Sequence, residues 1–401
     1  MQIPFLDLKP QYKSIKEEVL TEIYDVLDNT AYVLGKKVQA FEEAFAKAHN
    51  AKYCYGIGTG TAGNHMVLWA LGIKPGDEVI VPANTFIATV WGATLCGAKP
   101  VFVDCHPESY NIDPEKLIKA ITPKTKAIVV VHLYGQPADI DEISRQLSSI
   151  NYHSEEKGVY VHRQTGQKIY LVEDCAQSHL SEYKGQKVGA LTKASSWSFY
   201  PGKNLGAYGE GGAVMTNDEE LAKKFKMMRD HGAEQKYVHY IYGHNYRMEA
   251  IQGAVLGVKL KYLDGWINER RRVAKKYYDN LKDVEEIKLP KEMEYAKHVY
   301  HLFVIQVRGQ KLEARSQRRD NLQKFLSENG ISTGLHYPIP LHLQPCFEHL
   351  GYKKGDFPVS EELAEQGLSL PMFPELTDEQ IEYVCSTIKK FFDNKKNIVA
   401  T

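Results

Sequence analysis

The chain has 401 residues, of which 43% are hydrophobic, and its 50 basic and 50 acidic side chains give a formal net charge of zero. This length is enough for a large core and predicts two lobes. The balanced charge leaves no basic excess of the kind that marks proteins binding nucleic acid or a membrane surface.

The six cysteines are scattered and lack the CxxC spacing of metal sites, so neither a zinc site nor a disulfide framework is indicated. The first residues, MQIPFLDLKPQYKSIKEE, contain no charged segment followed by an apolar run, and charges or prolines interrupt every long apolar stretch. We therefore expect a cytoplasmic protein with no metal and no membrane contact.

Two helices, predicted at Lys13–Leu27 and Val38–His49, precede a strand at Lys52–Ile57. The strand leads into GIGTGTAG, whose glycines at 58, 60 and 63 match the dinucleotide motif G-x-G-x-x-G. A dinucleotide-binding acid should lie at the far end of the next strand, whereas Glu78 begins the strand EVIVP. Because main-chain N–H groups and a helix dipole attract anions, we interpret residues 59–61 as a phosphate cradle instead.

Strands and helices alternate between residues 77 and 174, which is typical of a mostly parallel sheet. Phe86 begins one of these helices, where its ring could stack on a ligand or pack in the core. Residues 148–167 interrupt the alternation, and their glycines predict an inserted hairpin. Asp174 follows the strand Lys168–Glu173, at a position where open sheets bind ligands, although a helix cap or a salt bridge would also explain it.

The segment 195–214, SSWSFYPGKNLGAYGEGGAV, places Lys203 among glycines behind a strand end. A lysine amine attacks carbonyl groups only where burial or nearby positive charge lowers its pKa, and a solvated surface lysine is the alternative. A reactive lysine, a strand-end carboxylate, a phosphate cradle and a stacking ring are together what pyridoxal phosphate chemistry requires. The sequence therefore predicts pyridoxal 5'-phosphate as the cofactor.

One long helical pattern runs from Met248 to Leu281, and its charged run Glu269–Arg272 is typical of a solvated face without a catalytic role. This helix is expected to connect a large domain, residues 1–255, to a smaller C-terminal domain, residues 256–401. In the smaller domain we expect a strand at His301–Val307, a polar loop at Gly309–Arg318, a helix at Arg319–Glu328 and a last helix from Thr377.

These segments resemble the DegT/DnrJ/StrS family of pyridoxal-phosphate sugar aminotransferases. The family hallmark is close to S-F-x-x-x-K-N-L-G-x-x-G-[DE]-G-G-A, and this chain has SFYPGKNLGAYGEGGA. Further matches are PGDEVIVPANTFIAT, VHLYGQPADID, VEDCAQSH, GHNYRMEAIQGAVL and LHYPIPLHLQP, so that only the stretch around 148–167 lacks a counterpart. The resemblance implies an α/β fold of the aspartate aminotransferase type (fold type I), with a mostly parallel central sheet and a smaller C-terminal α+β lobe.

The resemblance implies that Lys203 forms the Schiff base with the cofactor and later moves a proton. Asp174 would pair with the pyridine nitrogen, Gln177 would contact the phenolic oxygen, and Phe86 would stack on the ring. An obligate homodimer with shared active sites is also implied. Gly60, Thr61 and Ser198 would hold the phosphate, and Asn245 would reach the phosphate of the cofactor in the partner subunit.

A transaminase of this family would use L-glutamate to produce pyridoxamine 5'-phosphate and would then aminate a keto-sugar linked to a nucleotide. The segments FYPGKNLGAYG and HYPIPLHLQP look most like the branch that aminates C-3 of dTDP-3-keto-6-deoxyhexoses. Tyr200, His336 and Tyr337 would then lie near the sugar or its nucleotide, although Tyr337 before a proline also suits a turn. Three alternatives stay open: amination at C-4 of a 4-keto sugar, an NAD-dependent oxidoreductase, and a sensor or scaffold that binds pyridoxal phosphate or a sugar nucleotide without turnover.

Overall fold

The computed structural model describes residues 1–308 and 312–399. The helices are α1 (Lys9–Asp28), α2 (Gly35–Ala48), α3 (Gly60–Ala70), α4 (Ile87–Leu95), α5 (Pro114–Lys119), α6 (Ile140–Ser149), α7 (Glu219–Arg229), α8 (Ala250–Leu260), α9 (Leu263–Leu281), α10 (Leu312–Glu328), α11 (Pro358–Gln366) and α12 (Asp378–Val399). The strands are β1 (Tyr53–Ile57), β2 (Glu78–Pro82), β3 (Lys99–Val103), β4 (Thr125–Val131), β5 (Tyr152–Glu156), β6 (Val159–His162), β7 (Lys168–Asp174), β8 (Glu182–Tyr183), β9 (Gln186–Lys187), β10 (Ala194–Ser198), β11 (Gly212–Thr216), β12 (Ala233–Gln235), β13 (Val238–His239), β14 (Ile287–Lys288), β15 (Ala296–Lys297), β16 (Phe303–Val307) and β17 (Gly367–Leu370).

A large sheet with the order β1-β11-β10-β7-β4-β2-β3 forms the centre of the chain. The strands β10, β7, β4, β2 and β3 run parallel, whereas β11 is antiparallel to both of its neighbours. The carboxyl ends of the parallel strands therefore meet at one edge, where open sheets of this kind bind ligands. This confirms the predicted α/β class with its mostly parallel central sheet.

Helices cover both faces of this sheet because its central strands are apolar on both sides. Along β2, Ile80 faces one core while Val79 and Val81 face the other. In β4, Ile128 belongs to the first core and Val129 to the second. Such alternation within a continuous apolar run is what a strand buried on both faces requires.

A third core lies among α9, α10, α12, β16 and β17, and Ile3 from the N-terminal segment joins it. The predicted single helix from Met248 to Leu281 is wrong, because the chain turns between α8 and α9. The turn lets Leu263 pack against the core of the large sheet while Tyr277 packs in the third core. The domain division at residue 255 stays a prediction.

The inserted hairpin is confirmed as β5 and β6, and β6 adds to the large sheet by pairing antiparallel with β7. The polar loop expected at Gly309–Arg318 is wrong from Leu312 onward, where α10 already begins, while 309–311 lie outside the described residues. Charged residues of this kind are good helix formers, so a polar sequence does not by itself indicate a loop. No helix within the described ranges has the length and apolar character needed to cross a membrane.

Candidate active site

A cavity of about 800 Å³ opens where the parallel strands end. Its walls come from the end of β4, from the segments that follow β2, β7 and β10, and from the start of α3. Of the predicted site residues, the cavity brings together Gly60, Thr61, Phe86, Asp174, Gln177, Ser198, Tyr200, Lys203, His336 and Tyr337.

The predicted phosphate cradle is the N-terminus of α3. Thr59 caps this helix, because its hydroxyl accepts a hydrogen bond from the N–H of Ala62 at 3.1 Å. The first N–H groups of a helix have no partner within it, so those of Gly60 and Thr61 suit an anion. A Cβ atom at Gly60 would lie 2.7 Å from Cβ of Ser198, so only glycine lets the helix begin this close to β10. The geometry fits a phosphate group.

Packing explains the other features of the apparent dinucleotide motif. A Cβ atom at Gly63 would lie 3.2 Å from the side chains of Ile57 and Ser196, which shows that α3 packs closely on the sheet. Glu78 stands at the amino end of β2, and its carboxylate accepts a hydrogen bond from the hydroxyl of Thr122. The acid that a dinucleotide site would place beside a ribose is therefore at the opposite edge from the cavity.

Asp174 ends β7, is 3% exposed and faces the cavity. Its Oδ2 accepts hydrogen bonds from Nδ2 of Asn64 at 3.1 Å and from the hydroxyl of Thr89 at 2.7 Å, and its Oδ1 accepts one from the N–H of Ala176 at 3.0 Å. It forms no ion pair within the described part of the chain, so the salt-bridge alternative is wrong. A buried carboxylate held by three donors beside a cavity suits a protonated ring nitrogen.

Sequence reasoning missed Asn64 and Thr89. Both are buried polar residues on the helices α3 and α4, which are otherwise largely apolar. A polar side chain on the buried face of such a helix must find a hydrogen-bond partner, and this is the signal that could have indicated them.

Lys203 lies in a turn that two main-chain hydrogen bonds close. The N–H of Lys203 donates to the carbonyl of Tyr200, and the N–H of Ala207 donates to that of Phe199, both at 2.8 Å. Burial lowers the pKa of Lys203 to about 8, and the opposing charge of Asp174 raises it only in part. A substantial fraction of the amine is therefore neutral at pH 8, as a carbonyl reagent requires.

Gln177 and Phe86 form the sides of the cavity next to Asp174. Oε1 of Gln177 accepts the N–H of Tyr134 at 2.6 Å, while its Nε2 donates to the hydroxyl of Tyr337 at 3.1 Å. The ring of Phe86 is 51% exposed and lies 5.5 Å from that of Tyr337. Core packing therefore does not explain Phe86, and a ring this exposed beside a cavity suits stacking on a flat ligand.

One wall of the cavity is largely apolar and comes partly from the N-terminal segment. Phe5 stacks on His336 with ring centroids 5.6 Å apart, and Leu6 lies beside it. Leu302 and Met372 complete this wall. These four apolar residues cannot be predicted from the sequence, because they come from three separate parts of the chain and share no local pattern.

Arg270 corrects the expectation that the charged run Glu269–Arg272 is a solvated face. It is 4% exposed, and its guanidinium donates to the carbonyl oxygens of Tyr300, His301 and Met372 at 3.1, 3.3 and 3.0 Å. Two of these residues line the cavity. The spacing in the sequence did indicate burial, because Arg270 follows Ile267 by three positions and so belongs to the buried stripe of α9.

Asn245 does not line this cavity. It is exposed, and its main chain forms a bridge to Asp230. The neighbouring segment 233–242, which contains the hairpin of β12 and β13, carries large exposed aromatic side chains, among them Tyr242 with 92% of its surface exposed. Such a surface on one chain is typical of a contact with a partner.

Within the described residues, His132, Glu173 and Cys175 are close enough for their ligand atoms to share a metal ion. Glu173 already accepts hydrogen bonds from Nε2 of His132 at 3.0 Å and from the N–H groups of Gly189, Leu191 and Thr192. Burial alone would raise the pKa of Glu173, but these hydrogen bonds outweigh it and hold the pKa below the ordinary value. The Glu173 carboxylate therefore stabilises the loop that precedes β10.

The sequence profile of the DegT/DnrJ/EryC1/StrS aminotransferase family matches residues 13–389. A "Pleiotropic regulatory protein" of Geobacillus stearothermophilus is 42% identical over 98% of this chain and 99% of its own. The dTDP-3-amino-3,4,6-trideoxy-alpha-D-glucose transaminase of Streptomyces venezuelae is 38% identical over 97% of this chain and 96% of its own. The crystal structure of S. venezuelae DesV in complex with a ketimine intermediate has a TM-score of 0.89, with 37% identity over 97% of this chain and 98% of that chain.

Other relatives are named as transaminases of dTDP-linked or UDP-linked sugars. Solved structures with the same fold include one with bound pyridoxamine phosphate and one in a pyridoxal phosphate form.

Proposed function

Because the chain belongs to the DegT/DnrJ/EryC1/StrS aminotransferase family, we propose that it transfers an amino group from L-glutamate to C-3 of a dTDP-3-keto-6-deoxyhexose. It is a sugar aminotransferase that depends on pyridoxal phosphate. The observation that carries the proposal is the position of Lys203, Asp174 and the N-terminus of α3 in one cavity.

In this proposal different residues around the cavity bind different parts of the cofactor. Gly60, Thr61 and Ser198 would bind its phosphate, Phe86 and Gln177 would contact its ring, and Asp174 would pair with the ring nitrogen. When bound, pyridoxal phosphate withdraws electrons from the carbon that carries the transferred nitrogen. Asp174 supports this, because a negative charge favours the protonated ring nitrogen.

Lys203 would move the proton at the amino donor's Cα. Its Nζ has a pKa of about 8, so near that pH the amine can both accept and return a proton. The turn that carries Lys203 keeps the amine beside the cavity, so the proton transfer needs no diffusing base. The same amine would serve both halves of a ping-pong reaction.

The lining of the cavity supports a 6-deoxy sugar. Among its described lining residues, Lys203 is the only lysine or arginine, and that amine is committed to the reaction. Phe5, Leu6, Leu302 and Met372 give one wall of the cavity an apolar surface, which suits a methyl group at C-6. A sugar carboxylate at C-6 would be desolvated there without a cation from this chain. The names of the relatives that act on dTDP-linked 3-amino sugars support C-3 and dTDP.

An absorption experiment tests the function with the unmodified protein. With pyridoxal phosphate we expect a visible band from cofactor bound to Lys203, and L-glutamate should shift the absorbance to the near ultraviolet. A 3-keto-6-deoxy dTDP-sugar should then restore the band at least about tenfold faster than the 4-keto isomer or a UDP-linked 3-oxo uronate. Faster restoration by the 4-keto sugar would move the reaction to C-4, and a band that ignores every amino donor would overturn transamination.

A second candidate is a regulator that binds the cofactor or a sugar nucleotide without turnover. The name of the Geobacillus relative favours it. The complete set of Lys203, Asp174 and the phosphate cradle in one cavity favours catalysis instead. The reaction with glutamate distinguishes the regulator from the enzyme, because a protein that binds the cofactor without turnover would keep its visible band.

We further propose a homodimer in which Asn245 contacts the phosphate bound by the partner subunit. The exposed position of Asn245 outside its own cavity supports this, as do the exposed tyrosines of the segment 233–242. Sedimentation of the purified protein should give twice the chain mass of 45.5 kDa.

Mixed dimers test the shared site. Asn245→Asp should be inactive, because its negative charge would repel the phosphate, and Lys203→Ala should be inactive as well. In dimers made by co-expressing the two variants, one site carries both substitutions and the other carries neither, so about a quarter of wild-type activity should return. Lys203→Ala co-expressed with Asp174→Ala should recover nothing, because those two residues line one cavity. No recovery in the first mixture would contradict the shared site.

A further inference from the structure

A second buried lysine, Lys259, lies behind the turn that carries Lys203. It belongs to α8 and is 1% exposed. Its ammonium donates a hydrogen bond to the carbonyl of Gly206 at 2.5 Å and lies 5.1 Å and 6.0 Å from the ring centroids of Tyr208 and Trp266. Among the described residues it forms no ion pair.

Packing alone does not explain a charged side chain at this position. A buried cation without a carboxylate partner is unfavourable, and two aromatic rings offset only part of the desolvation. Burial accordingly lowers the pKa of Lys259 to about 8, and Glu375 opposes this shift only from a distance. Methionine would fill the same space without a charge, so the hydrogen bond to Gly206 is the feature that lysine adds.

Gly206 lies within the turn that presents Lys203. The main-chain hydrogen bond from Ala207 to Phe199 closes this turn directly after Gly206. A Cβ atom at Gly206 would lie 2.3 Å from the carbonyl oxygen of Pro201, so the turn is too tightly folded for a side chain there. Anchoring the Gly206 carbonyl therefore fixes the part of the turn that follows Lys203.

We propose that Lys259 is a positioning residue, whose hydrogen bond to the Gly206 carbonyl holds the turn 199–207 so that the amine of Lys203 stays aligned in the cavity. Arg270 uses the same chemistry at another part of the cavity wall, where a buried cation holds the main chain of His301 and Met372. The catalytic consequence rests on the proposed function, because it requires Lys203 to be the reacting amine. The effect of Lys259 on the stability of the turn 199–207 does not depend on the proposed function.

The first test therefore needs neither cofactor nor turnover. Hydrogen–deuterium exchange of the protein without cofactor should show the amides in 199–207 exchanging at least about tenfold faster in Lys259→Met than in wild type, because their turn has lost its anchor. Lys259→Arg keeps a donor and should remain closer to wild type. Lys193→Met is the matched control, since Lys193 is also buried but pairs with Glu156 and Asp218. It should leave exchange in 199–207 unchanged.

The second test measures the half-reaction with glutamate in single-turnover experiments. In Lys259→Met the rate at saturating glutamate should fall by about 10- to 100-fold with a nearly unchanged KM, because the amine is misplaced while binding is retained. Lys259→Arg should recover part of that rate, and Lys193→Met should keep the wild-type rate. Unchanged exchange in 199–207 for Lys259→Met would show that Lys259 does not hold this turn. Faster exchange with a wild-type half-reaction would overturn its role in positioning, whereas a wild type that never reacts with glutamate would overturn only the proposed function.

Discussion

Replacing Lys203 by alanine is expected to abolish the visible band that pyridoxal phosphate gives with the wild-type protein. Turnover with L-glutamate should fall by at least about 10³-fold, because one side chain supplies both the covalent bond to the cofactor and the proton transfer. The measurements are an absorption spectrum and a coupled assay for 2-oxoglutarate. Ethylamine should restore part of the activity, since the shorter side chain leaves room for a small amine in the cavity.

The pH dependence of the free energy of unfolding provides a control for this variant that does not depend on activity. The pKa of Lys203 falls from 10.5 to about 8 on folding, so the charged amine destabilises the native state. This cost is complete below pH 8, decreases as the pH rises toward 10.5, and is absent above it. The stability of Lys203→Ala relative to wild type should therefore be greatest below pH 8, as measured by denaturant unfolding across this range. A variant that folds and keeps near-normal turnover would contradict the role of Lys203.

Short local patterns were enough to predict that Lys203, Asp174 and the proposed phosphate cradle lie at the same edge of the sheet. Each lies just after a strand or at the start of a helix, and the topology of a mostly parallel sheet brings the carboxyl ends of its strands to one edge. Gly60 shows why the cradle is so recognisable in sequence: contact with Ser198 excludes any side chain there. The α/β class followed from the same alternation of strands and helices.

The residues that the sequence did not reveal come together only through tertiary packing. Asn64 and Thr89 hold Asp174 from two different helices, and Phe5 reaches the cavity wall from the N-terminal segment. The local sequence around Asn64 and Thr89 indicates a buried polar contact but not its partner, and the sequence around Phe5 indicates no cavity. The cradle was visible because one short segment contains most of it, whereas the support of Asp174 is spread over the fold.

The charge of a side chain was the least reliable indicator of whether that side chain is solvated. Arg270 lies in a charged run and Lys259 is one of many lysines, yet both are buried and bind main-chain carbonyls near the cavity. A charged residue is usually solvated, so composition favoured the wrong environment for Arg270. Its three-residue spacing from Ile267 on α9 carried the correct signal, because a helix position inside the apolar stripe faces the core.

Asp174→Asn should retain the fold and bind pyridoxal phosphate, but it should transaminate about 10²- to 10³-fold more slowly, as expected when a charge that stabilises the transition state is lost. The amide has nearly the same shape as the carboxylate but carries no negative charge. The half-reaction with glutamate measures the effect, and the visible band reports the bound cofactor independently.

Thr89→Val is the graded control for Asp174→Asn. It removes the hydrogen bond of 2.7 Å to Oδ2 and leaves the charge, so it should slow the reaction less. A cofactor methylated on the ring nitrogen carries a fixed positive charge and no longer needs a carboxylate to keep that nitrogen protonated. It should therefore restore much of the activity of Asp174→Asn. If this cofactor gave no rescue while Thr89→Val matched the full loss, Asp174 would act by shaping the cavity, because a charge partner can be replaced by a charge and a packing residue cannot.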